Sequence, residues 1–441
     1  MIERVIFAGG GTGGHLFPGI AVMEELRRRE PDLEVLFVGT ARGIETKVIP
    51  QLGERLTCLD VSPLKGRSPT QLLKSLAALP QAGVEAGRVV KQFRPSLVLG
   101  MGGYAAGPMV LAAKTLGVPA ALLEQNAHVG LTNRLLSRFV DRAYLSFEET
   151  AAHFPSRAAR VFGNPVRRSF VAAGNMARMD PLGFEMRAQR VLVVGGSQGA
   201  KVLNELVPEA LARAGAASRN LEIVHQTGHA MCDSVRAHYE RLGLHVTVTP
   251  FIEDMARAYA SAALVIGRAG ATSLAEICAV GRPSLLIPFP FAADDHQWHN
   301  ARALETRGAA LALREPGLTA EQLGMRLGEL LDQPARRTAM ADAARRLGRP
   351  EAAAAIVDDL CDWLGCSSGD VDAPPDDAQD EAVAPPQPAE AGAGDPPVSE
   401  SAYPPDASQR RTMARRRARR RSLAWSQSDL YYGTRAVAAL E

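Results

Sequence analysis

Short apolar runs alternate with longer stretches of helical periodicity along the first third of the chain. Runs rich in Val, Leu, Ile and Ala predict buried strands at 5–8, 35–38, 56–61, 97–99, 120–123 and 142–146. Between these runs apolar side chains recur at helical spacing, as in the helix predicted from about Pro18 to Arg29. Strands that alternate with helices favour a parallel sheet joined by right-handed crossovers.

The same alternation returns after Gly163-Asn164-Pro165, where glycine and proline indicate a boundary. Strands are predicted at 190–194, 221–226, 245–249, 263–266 and 284–287, with helices between them and a last helix at 351–364. The polar segment 172–189 shows no strand pattern and predicts a surface helix or loop. We therefore predict a first domain over 1–163, a second over 164–348 and a closing helix within 349–365.

The composition changes abruptly after residue 365. Residues 366–408 contain nine Pro, ten acidic residues and neither Lys nor Arg, a composition that cannot bury enough apolar area to fold. Eight arginines follow among the twelve residues 410–421. We expect a disordered tail over 366–441, in which the arginine run is solvated or contacts anionic lipid or nucleic acid.

Three glycine-rich turns each follow a predicted strand and open a predicted helix. They lie at 9–14, 195–200 and 267–273 and read GGGTGG, GGSQGA and GRAGATS. In such a turn, backbone N–H groups and a helix N-terminus converge on one point and attract anions, diphosphates above all. One turn alone is equally typical of tight β–α packing. Three turns in two halves of one chain predict two doubly wound domains whose strand ends face a shared crevice.

Charge, hydropathy and cysteine content limit where in the cell the protein is expected to act and which ligands and metal sites it is expected to have. The formal net charge is +2, with a basic excess in 1–163, no net charge in 164–365 and an acidic excess in the tail. A mildly basic first domain fits an anionic ligand or surface. No apolar run is long enough to span a membrane and the N-terminus reads as a core strand, so we expect a cytoplasmic protein. The five cysteines have neither disulfide nor metal spacing, and Asp294-Asp295-His296 is the one candidate metal cluster.

Eight short motifs carry a resemblance to a known family. They are GGGTGGH at 9–15, GMGGYAAGP at 100–108, EQN at 124–126, GNPVR at 163–167, GGSQGA at 195–200, FIEDM at 251–255, RAGATSLAE at 268–276 and DDHQWHNA at 294–301. Over about residues 1–365 the chain resembles the MurG family, which makes lipid II. These enzymes move N-acetylglucosamine (GlcNAc) from UDP-GlcNAc to the muramoyl sugar of membrane-borne lipid I.

The resemblance implies a fold and a reaction type. The expected fold is GT-B, with two Rossmann-like domains that face a cleft and the nucleotide bound mainly on the second. The expected reaction inverts the anomeric carbon and uses no cofactor and no metal. Such a transfer needs a base for the attacking hydroxyl and dipolar or positive groups for the departing diphosphate, which helix N-termini and arginine supply.

The resemblance also implies roles for individual residues. His15 is implied to be the base or the group that orients the acceptor. The residues implied to bind UDP-GlcNAc are Thr12, Gly13, Gly14, Asn126, Arg167, Ser197, Ile252, Ala271, Thr272, Ser273, Leu274, Ala275, Glu276, His296 and Gln297. Among them Arg167 and Ser197 would hold the diphosphate and Glu276 the ribose hydroxyls. Without the motifs we would favour local roles: a helix cap for Asn126, a surface position for Glu276 and a loop-fixing role for His15.

One apolar helix face predicts contact with the membrane that carries the acceptor. Four leucines recur at helical spacing with three basic residues beside them: Leu72, Leu73, Leu76 and Leu79, with Lys65, Arg67 and Lys74. A helix packed into the domain explains the same pattern. The matching region of the MurG family is its proposed membrane patch. Basic residues near an anionic surface contribute about 1 kcal/mol each, so we expect peripheral binding at the cytoplasmic face of the inner membrane.

Other functions are consistent with parts of the sequence. The expected partners are UDP-GlcNAc, lipid I, the anionic membrane surface and other cell-wall synthesis proteins, with no nucleic acid on the folded part. Another GT-B transferase with a different sugar nucleotide or acceptor would share the fold. A non-catalytic nucleotide-binding scaffold would be expected to have lost His15, Glu276 or Gln297, and all three are present. A nucleic-acid binder is suggested by the arginine run alone.

Overall fold

The computed structural model describes residues 2–61, 69–179, 190–196 and 199–365, without the side chains of 69–79, 178 and 179. The first sheet has seven parallel strands: β1 (Arg4–Gly9), β2 (Glu34–Gly39), β3 (Arg55–Cys58), β4 (Leu97–Gly102), β5 (Ala120–Glu124), β6 (Arg142–Leu145) and β7 (Ala159–Val161). They lie in the order β3-β2-β1-β4-β5-β6-β7. This order is doubly wound, because the chain changes direction between β1 and β4.

Helices cover both faces of this sheet. They are α1 (Gly13–Arg29), α2 (Glu45–Gln51), α3 (Pro69–Phe93), α4 (Ala106–Thr115) and α5 (Leu131–Leu136). Side chains alternate between two cores along β1: Val5 and Phe7 pack with residues of α1, while Ile6 and Ala8 pack with residues of α4. A strand buried on both faces needs apolar residues at successive positions, which is the pattern that the sequence shows.

The second sheet repeats the plan with six parallel strands. They are β8 (Arg190–Val194), β9 (Glu222–Gln226), β10 (Val246–Thr249), β11 (Leu264–Gly267), β12 (Ser284–Leu286) and β13 (Ala310–Ala312), in the order β10-β9-β8-β11-β12-β13. The remaining helices are α6 (Arg168–Met179), α7 (Lys201–Arg213), α8 (Cys232–Arg241), α9 (Met255–Ser261), α10 (Ala271–Val280), α11 (His296–Glu305), α12 (Ala320–Asp332), α13 (Pro334–Leu347) and α14 (Ala352–Leu364). Both sheets belong to one compact unit.

The chain crosses between the two domains twice. After β7 it enters the second domain through α6, which packs on α9 and α10. At its end α14 returns to the first domain, where Ile356 and Leu360 join the core that contains α1. The Asp359 carboxylate accepts hydrogen bonds from Arg142 and from the Tyr144 hydroxyl, at 3.0 and 2.9 Å. The closing helix therefore ties the end of the second domain back to the first.

The structure confirms the predicted fold class, two Rossmann-like domains around a cleft. The short strands β7 and β13, each paired with one neighbour at the edge of its sheet, were not predicted. Helix α1 begins at Gly13 rather than near Pro18, since Thr12 takes an extended N-cap conformation directly before it. Of the polar segment 172–189, the part through Met179 belongs to α6. The domain boundaries at 163 and 348 stay predictions, and the expected disordered tail lies outside the described residues.

Within the described ranges no helix is both long and apolar enough to cross a membrane. The cysteines there, Cys58, Cys232, Cys278 and Cys361, are free thiols. Burial raises the pKa of the Cys278 thiol to about 12, which fits a small core residue rather than a reactive one.

Candidate active site

Residues of both domains line a cleft of about 620 Å³ at the carboxyl ends of the two sheets. The first domain contributes the loops after β1, β4 and β5, and the second contributes the loops after β11 and β12. Doubly wound folds bind their ligands at such strand ends. Seven predicted site residues line the cleft: Thr12, Gly14, His15, Asn126, Ala271, His296 and Gln297.

The other predicted residues do not line this cleft in the structure. Ile252 packs against the core of the second domain, and Glu276 is buried within α10. The predicted donor-binding residues that do not line the cleft are Gly13, Arg167, Ile252, Thr272, Ser273, Leu274, Ala275 and Glu276. Ser197, Lys65, Arg67 and the side chains of Leu72, Leu73, Lys74, Leu76 and Leu79 lie outside the described residues.

Two glycine turns of the first domain pack directly against each other at the floor of the cleft. The Gly10 N–H donates to the Gly102 carbonyl at 3.1 Å. A Cβ on Gly9 would lie 2.1 Å from that same carbonyl oxygen, and Gly9 has a φ of +135°. Any side chain there would push the two loops apart, so glycine is required by both space and backbone conformation.

A buried carboxylate, that of Glu45, stabilises the first glycine turn through hydrogen bonds to backbone N–H groups. Glu45 has no exposed surface, and its carboxylate accepts hydrogen bonds from the Gly11 N–H at 2.7 Å and the Thr40 N–H at 2.8 Å. Backbone N–H groups of such turns commonly bind an anion. Here one of them is already bound to a side chain of the protein, which orders the turn before any ligand arrives.

His15 lies in the first turn of α1 and is held from two sides. Its Nδ1 is 3.1 Å from the Gln125 side-chain oxygen Oε1. A Cβ on Gly102 would lie 2.6 Å from that same Nδ1, so the ring fits only because residue 102 is glycine. Its position on the cleft wall supports a chemical role more strongly than the alternative of a loop-fixing residue.

Asn126 follows the end of β5 and is ordered by the preceding Glu124. The buried Glu124 carboxylate accepts hydrogen bonds from the Asn126 N–H, the Gly130 N–H and the Asn133 side chain, each at 3.0 Å. Gly130, not Asn126, is the N-cap of α5. The helix-cap interpretation of Asn126 is therefore wrong. Its side chain lines the cleft, where it contacts the Glu124 carboxylate and the Asn300 amide.

Asn300 joins the two domains at the cleft. It is fully buried in α11, and its Oδ1 accepts a hydrogen bond from the Ala127 N–H of the first domain at 2.8 Å. Its Nδ2 lies 3.3 Å from the Asn126 Oδ1 and 3.2 Å from the Ala269 carbonyl. A second link runs from the Thr272 hydroxyl to the Gly14 carbonyl at 3.0 Å.

Glu276 and Arg167 form an ion pair on the second domain at 3.1 Å. Burial raises the pKa of the Glu276 carboxyl to about 7, and the Arg167 guanidinium opposes this effect by lowering it. The guanidinium also lies over the rings of Phe17 and Phe170, 4.6 and 4.8 Å from their centroids. Glu276 is 6% exposed, so the interpretation as a surface helix residue is wrong.

The first turn of α11 and the loop before it form part of the cleft wall, and His296 and Gln297 of that turn present their side chains to the cleft. The Gln297 Oε1 accepts hydrogen bonds from the Phe289 and Ala269 N–H groups, at 3.0 and 3.3 Å, which leaves its NH₂ group as a donor. The His296 Nδ1 donates to the Ala293 carbonyl at 2.7 Å. Asp294 and Asp295 both adopt positive φ values, 55° and 54°, which produce the sharp bend of this loop.

Across the described ranges, no group of three or more His, Cys, Asp and Glu side chains could hold a metal ion. Asp294-Asp295-His296 does not form such a group: Asp295 pairs with Arg314 at 2.8 Å.

Sequence reasoning missed three residues that shape the site. Gln125 and Asn300 both stand inside quoted motifs, EQN and DDHQWHNA, but received no role. Glu45 stands in no motif, and only the fold brings it to the glycine turn.

Comparison with known proteins defines the class of this two-domain protein. Residues 5–145 match the model of the glycosyltransferase family 28 N-terminal domain, and residues 190–356 match that of the family 28 C-terminal domain. The fold and the cleft are those of a GT-B glycosyltransferase. Within that class, the chain belongs to the MurG family, the UDP-N-acetylglucosamine–N-acetylmuramyl-(pentapeptide) pyrophosphoryl-undecaprenol N-acetylglucosamine transferases.

Three similar proteins support this assignment. The transferase of that name from Anaeromyxobacter sp. (strain Fw109-5) is 46% identical over 355 residues, covering 80% of this chain and 92% of the relative. The one from Myxococcus xanthus (strain DK1622) is 46% identical over 361 residues, covering 82% and 93%. The crystal structure of Acinetobacter baumannii MurG superposes with a TM-score of 0.67 at 32% identity, covering 82% of this chain and 99% of that one.

Proposed function

We propose that the protein transfers GlcNAc from UDP-GlcNAc to the 4-hydroxyl of the muramoyl sugar in lipid I, which produces lipid II for peptidoglycan synthesis. The family assignment supports this activity, because relatives of that name cover most of the chain. The observation that carries it is the cleft between the two domains, where His15 stands on one wall and the N-terminus of α10 on the other.

The proposed chemistry is an inverting displacement. The acceptor hydroxyl attacks the anomeric carbon of GlcNAc, and the bond from that carbon to the diphosphate oxygen breaks with its electron pair on UDP. His15 accepts the hydroxyl proton as general base. Gly270 and Ala271 at the start of α10 supply N–H groups and the positive end of a helix dipole for the leaving diphosphate.

The proposed donor site extends from the cleft into the second domain. Asn126 and Gln297 face the cleft with amide groups that suit the hydroxyl and acetamido groups of GlcNAc. Glu276 would accept the ribose hydroxyls, as carboxylates do in many nucleotide sites. Arg167 and Ser197 are proposed near the diphosphate, and Ile252 near the uracil.

We also propose that the α3–α4–α5 face of the first domain rests on the membrane that holds the acceptor. An apolar groove of about 690 Å³ opens there, lined in part by Leu111, Leu116 and the basic residues Arg88 and Lys91. Tyr104, Thr132 and Leu135 line both this groove and the catalytic cleft. The groove is thus continuous with the site where a lipid-linked sugar would react, and basic residues beside exposed leucines favour an anionic surface.

Replacing Leu111 and Leu116 together by glutamate is expected to lower binding to anionic vesicles by about tenfold or more. Each leucine that enters a bilayer contributes roughly 1.5–3 kcal/mol, and each new carboxylate is repelled by the lipid charge. Vesicle co-sedimentation measures this, with Met325→Glu as the control, because Met325 is 57% exposed on the second domain. Equal binding of the two variants would contradict the membrane face.

The transfer itself is tested by UDP release. Purified protein is incubated with UDP-GlcNAc, with and without a soluble lipid I analogue. A transferase releases UDP in proportion to added acceptor. Release that is independent of acceptor would refute the proposal.

A further inference from the structure

Gln125 is a buried side chain that lies between a backbone carbonyl and the imidazole of His15. It directly follows β5, and only 1% of its surface is exposed. Its Nε2 donates to the Met101 carbonyl at 2.8 Å, and its Oε1 lies 3.1 Å from the His15 Nδ1. Met101 directly precedes the glycine pair 102–103 at the end of β4, so the Gln125 amide connects the ends of β4 and β5 at the cleft floor.

The chemistry of these groups determines where the protons lie. The Met101 carbonyl can only accept a hydrogen bond, so the NH₂ end of the Gln125 amide must face it. The Oε1 end then faces His15, and an amide oxygen can also only accept. The His15 Nδ1 must therefore carry a hydrogen. In a neutral imidazole the other nitrogen, Nε2, then holds a free lone pair.

We propose that Gln125 is a positioning residue that holds His15 in its Nδ1–H tautomer, so that Nε2 is the atom that accepts the proton of the attacking hydroxyl. Nε2 has no hydrogen-bond partner among the residues that the structure describes. The inference rests on the proposed function, because it assigns an atom and a partner to the general base.

The proton balance of the step is complete with these groups. The acceptor O–H proton moves to Nε2 as the new bond to the anomeric carbon forms, and the diphosphate leaves with the electron pair of the broken bond. His15 is then an imidazolium with hydrogens on both nitrogens. The Gln125 Oε1 still accepts from Nδ1–H, so no group has to reorient, and Nε2 returns its proton to solvent.

Gly102 also restricts the ring. Its φ is +98°, and a Cβ there would lie 2.6 Å from the ring Nδ1 and 2.9 Å from Cε1. A ring whose Nδ1 lies close to both the Gly102 backbone and the Gln125 amide has little freedom to turn Nδ1 toward another acceptor. Orientation by a hydrogen bond to the second ring nitrogen is a general way to select a histidine tautomer.

The tautomer is measured directly by long-range ¹H–¹⁵N correlation spectra of full-length protein labelled at its nine histidines. The His15 signals are assigned by their absence in His15→Ala. We expect a pure Nδ1–H tautomer in the wild type at pH values where the ring is neutral. Gln125→Leu removes the acceptor and should yield a mixture or the Nε2–H form, whereas Gln125→Glu retains an acceptor oxygen and should keep Nδ1–H. A wild-type ring that is protonated on Nε2 would overturn the proposal.

Kinetics test whether the tautomer matters for transfer. Gln125→Leu should lower kcat by roughly ten- to a hundredfold with little change in the KM for UDP-GlcNAc, and Gln125→Glu should recover most of this loss. In a His15→Ala background, Gln125→Leu should have no further effect, because it acts only through the imidazole. An equal loss in both backgrounds would show a structural role instead and would contradict the proposal.

These experiments separate the inference from the proposed function. The spectra report the tautomer whether or not the protein transfers GlcNAc. An Nδ1–H ring in a protein without transfer activity would refute the function alone. An Nε2–H ring in an active enzyme would refute the role of Gln125 alone.

Discussion

His15→Ala is expected to lower kcat for GlcNAc transfer by roughly 10²–10⁴-fold, the range typical for loss of a general base. The affinity for UDP-GlcNAc should change little. The reason is geometric: His15 lies on the first-domain wall of the cleft and interacts with Gln125, whereas the proposed uridine contacts, Ile252 and Glu276, belong to the second domain. Single-turnover kinetics with a lipid I analogue give the rate, and calorimetry gives the affinity.

His296→Ala is the matched comparison for this variant. Its imidazole also lines the cleft, but it lies at the start of α11 and donates a hydrogen bond to the Ala293 carbonyl. We expect His296→Ala to weaken donor binding more than it lowers kcat, the opposite split from His15→Ala. A His15→Ala enzyme with kcat within about threefold of wild type would leave His15 as a loop residue and remove the base from the mechanism.

Glu276→Ala is expected to weaken UDP-GlcNAc binding by roughly ten- to a hundredfold. Hydrogen bonds to a charged group contribute about 1.5–3 kcal/mol, which corresponds to that range of affinity. The Glu276 carboxylate is buried and already paired with Arg167 at 3.1 Å, so the ribose would meet an ordered acceptor. Titration calorimetry measures the change, and circular dichroism checks that the variant folds, since removing one partner leaves Arg167 unpaired at this site.

The raised pKa of Glu276 adds a pH signature. Burial raises the pKa of this carboxyl to about 7 in the free protein, so a large fraction is protonated at pH 6. Ribose hydroxyls that donate to the carboxylate favour its ionised form, so binding releases a proton. Affinity should therefore rise with pH through about 7 and then level off. UDP-GlcNAc is the correct probe, because the terminal phosphate of UDP itself titrates near pH 6.

Glu276→Gln is the control for this signature. Glutamine has the same shape and cannot ionise, so the rise of affinity between pH 6 and pH 8 should disappear. If the wild type and Glu276→Gln show the same pH dependence and the same affinity, then Glu276 does not contact the donor and serves only to pair Arg167.

The fold followed from the sequence because its causes are local. Buried parallel strands such as β1 and β8 need uninterrupted apolar runs, and the turns after them need glycine where backbones approach closely, as at Gly9. Both features are visible without knowing any long-range contact. The strands β7 and β13 were not predicted: each is short and lies at the edge of its sheet, where tertiary pairing with a single neighbour defines it.

The candidate site was only partly predictable from the sequence. The motifs predicted correctly that His15, Asn126 and Gln297 contribute to one site. The residues that order the loops of this site act through contacts between positions far apart in the sequence. Glu45 reaches Gly11 over 34 positions, and Asn300 reaches Ala127 over 173. No local periodicity encodes such pairs, and only the tertiary structure shows them.

The membrane face illustrates a different limit. The sequence singled out the leucines of 72–79, whose side chains lie outside the described residues. The groove that the structure adds, with Leu111 and Leu116 on its wall, is assembled from α3, α4 and α5. Its apolar residues are distributed over three helices and form one surface only after folding. The periodicity of any single helix therefore does not predict the groove.

The most direct test is the structure of the product made from UDP-GlcNAc and a lipid I analogue. Mass spectrometry should show the gain of one N-acetylhexosamine per acceptor, and NMR should show a β linkage to the 4-hydroxyl of the muramoyl sugar. The His15→Ala enzyme should form the same product at a far lower rate. Hydrolysed or epimerised sugar nucleotide with an unchanged acceptor, or a product that retains the α configuration, would contradict the account.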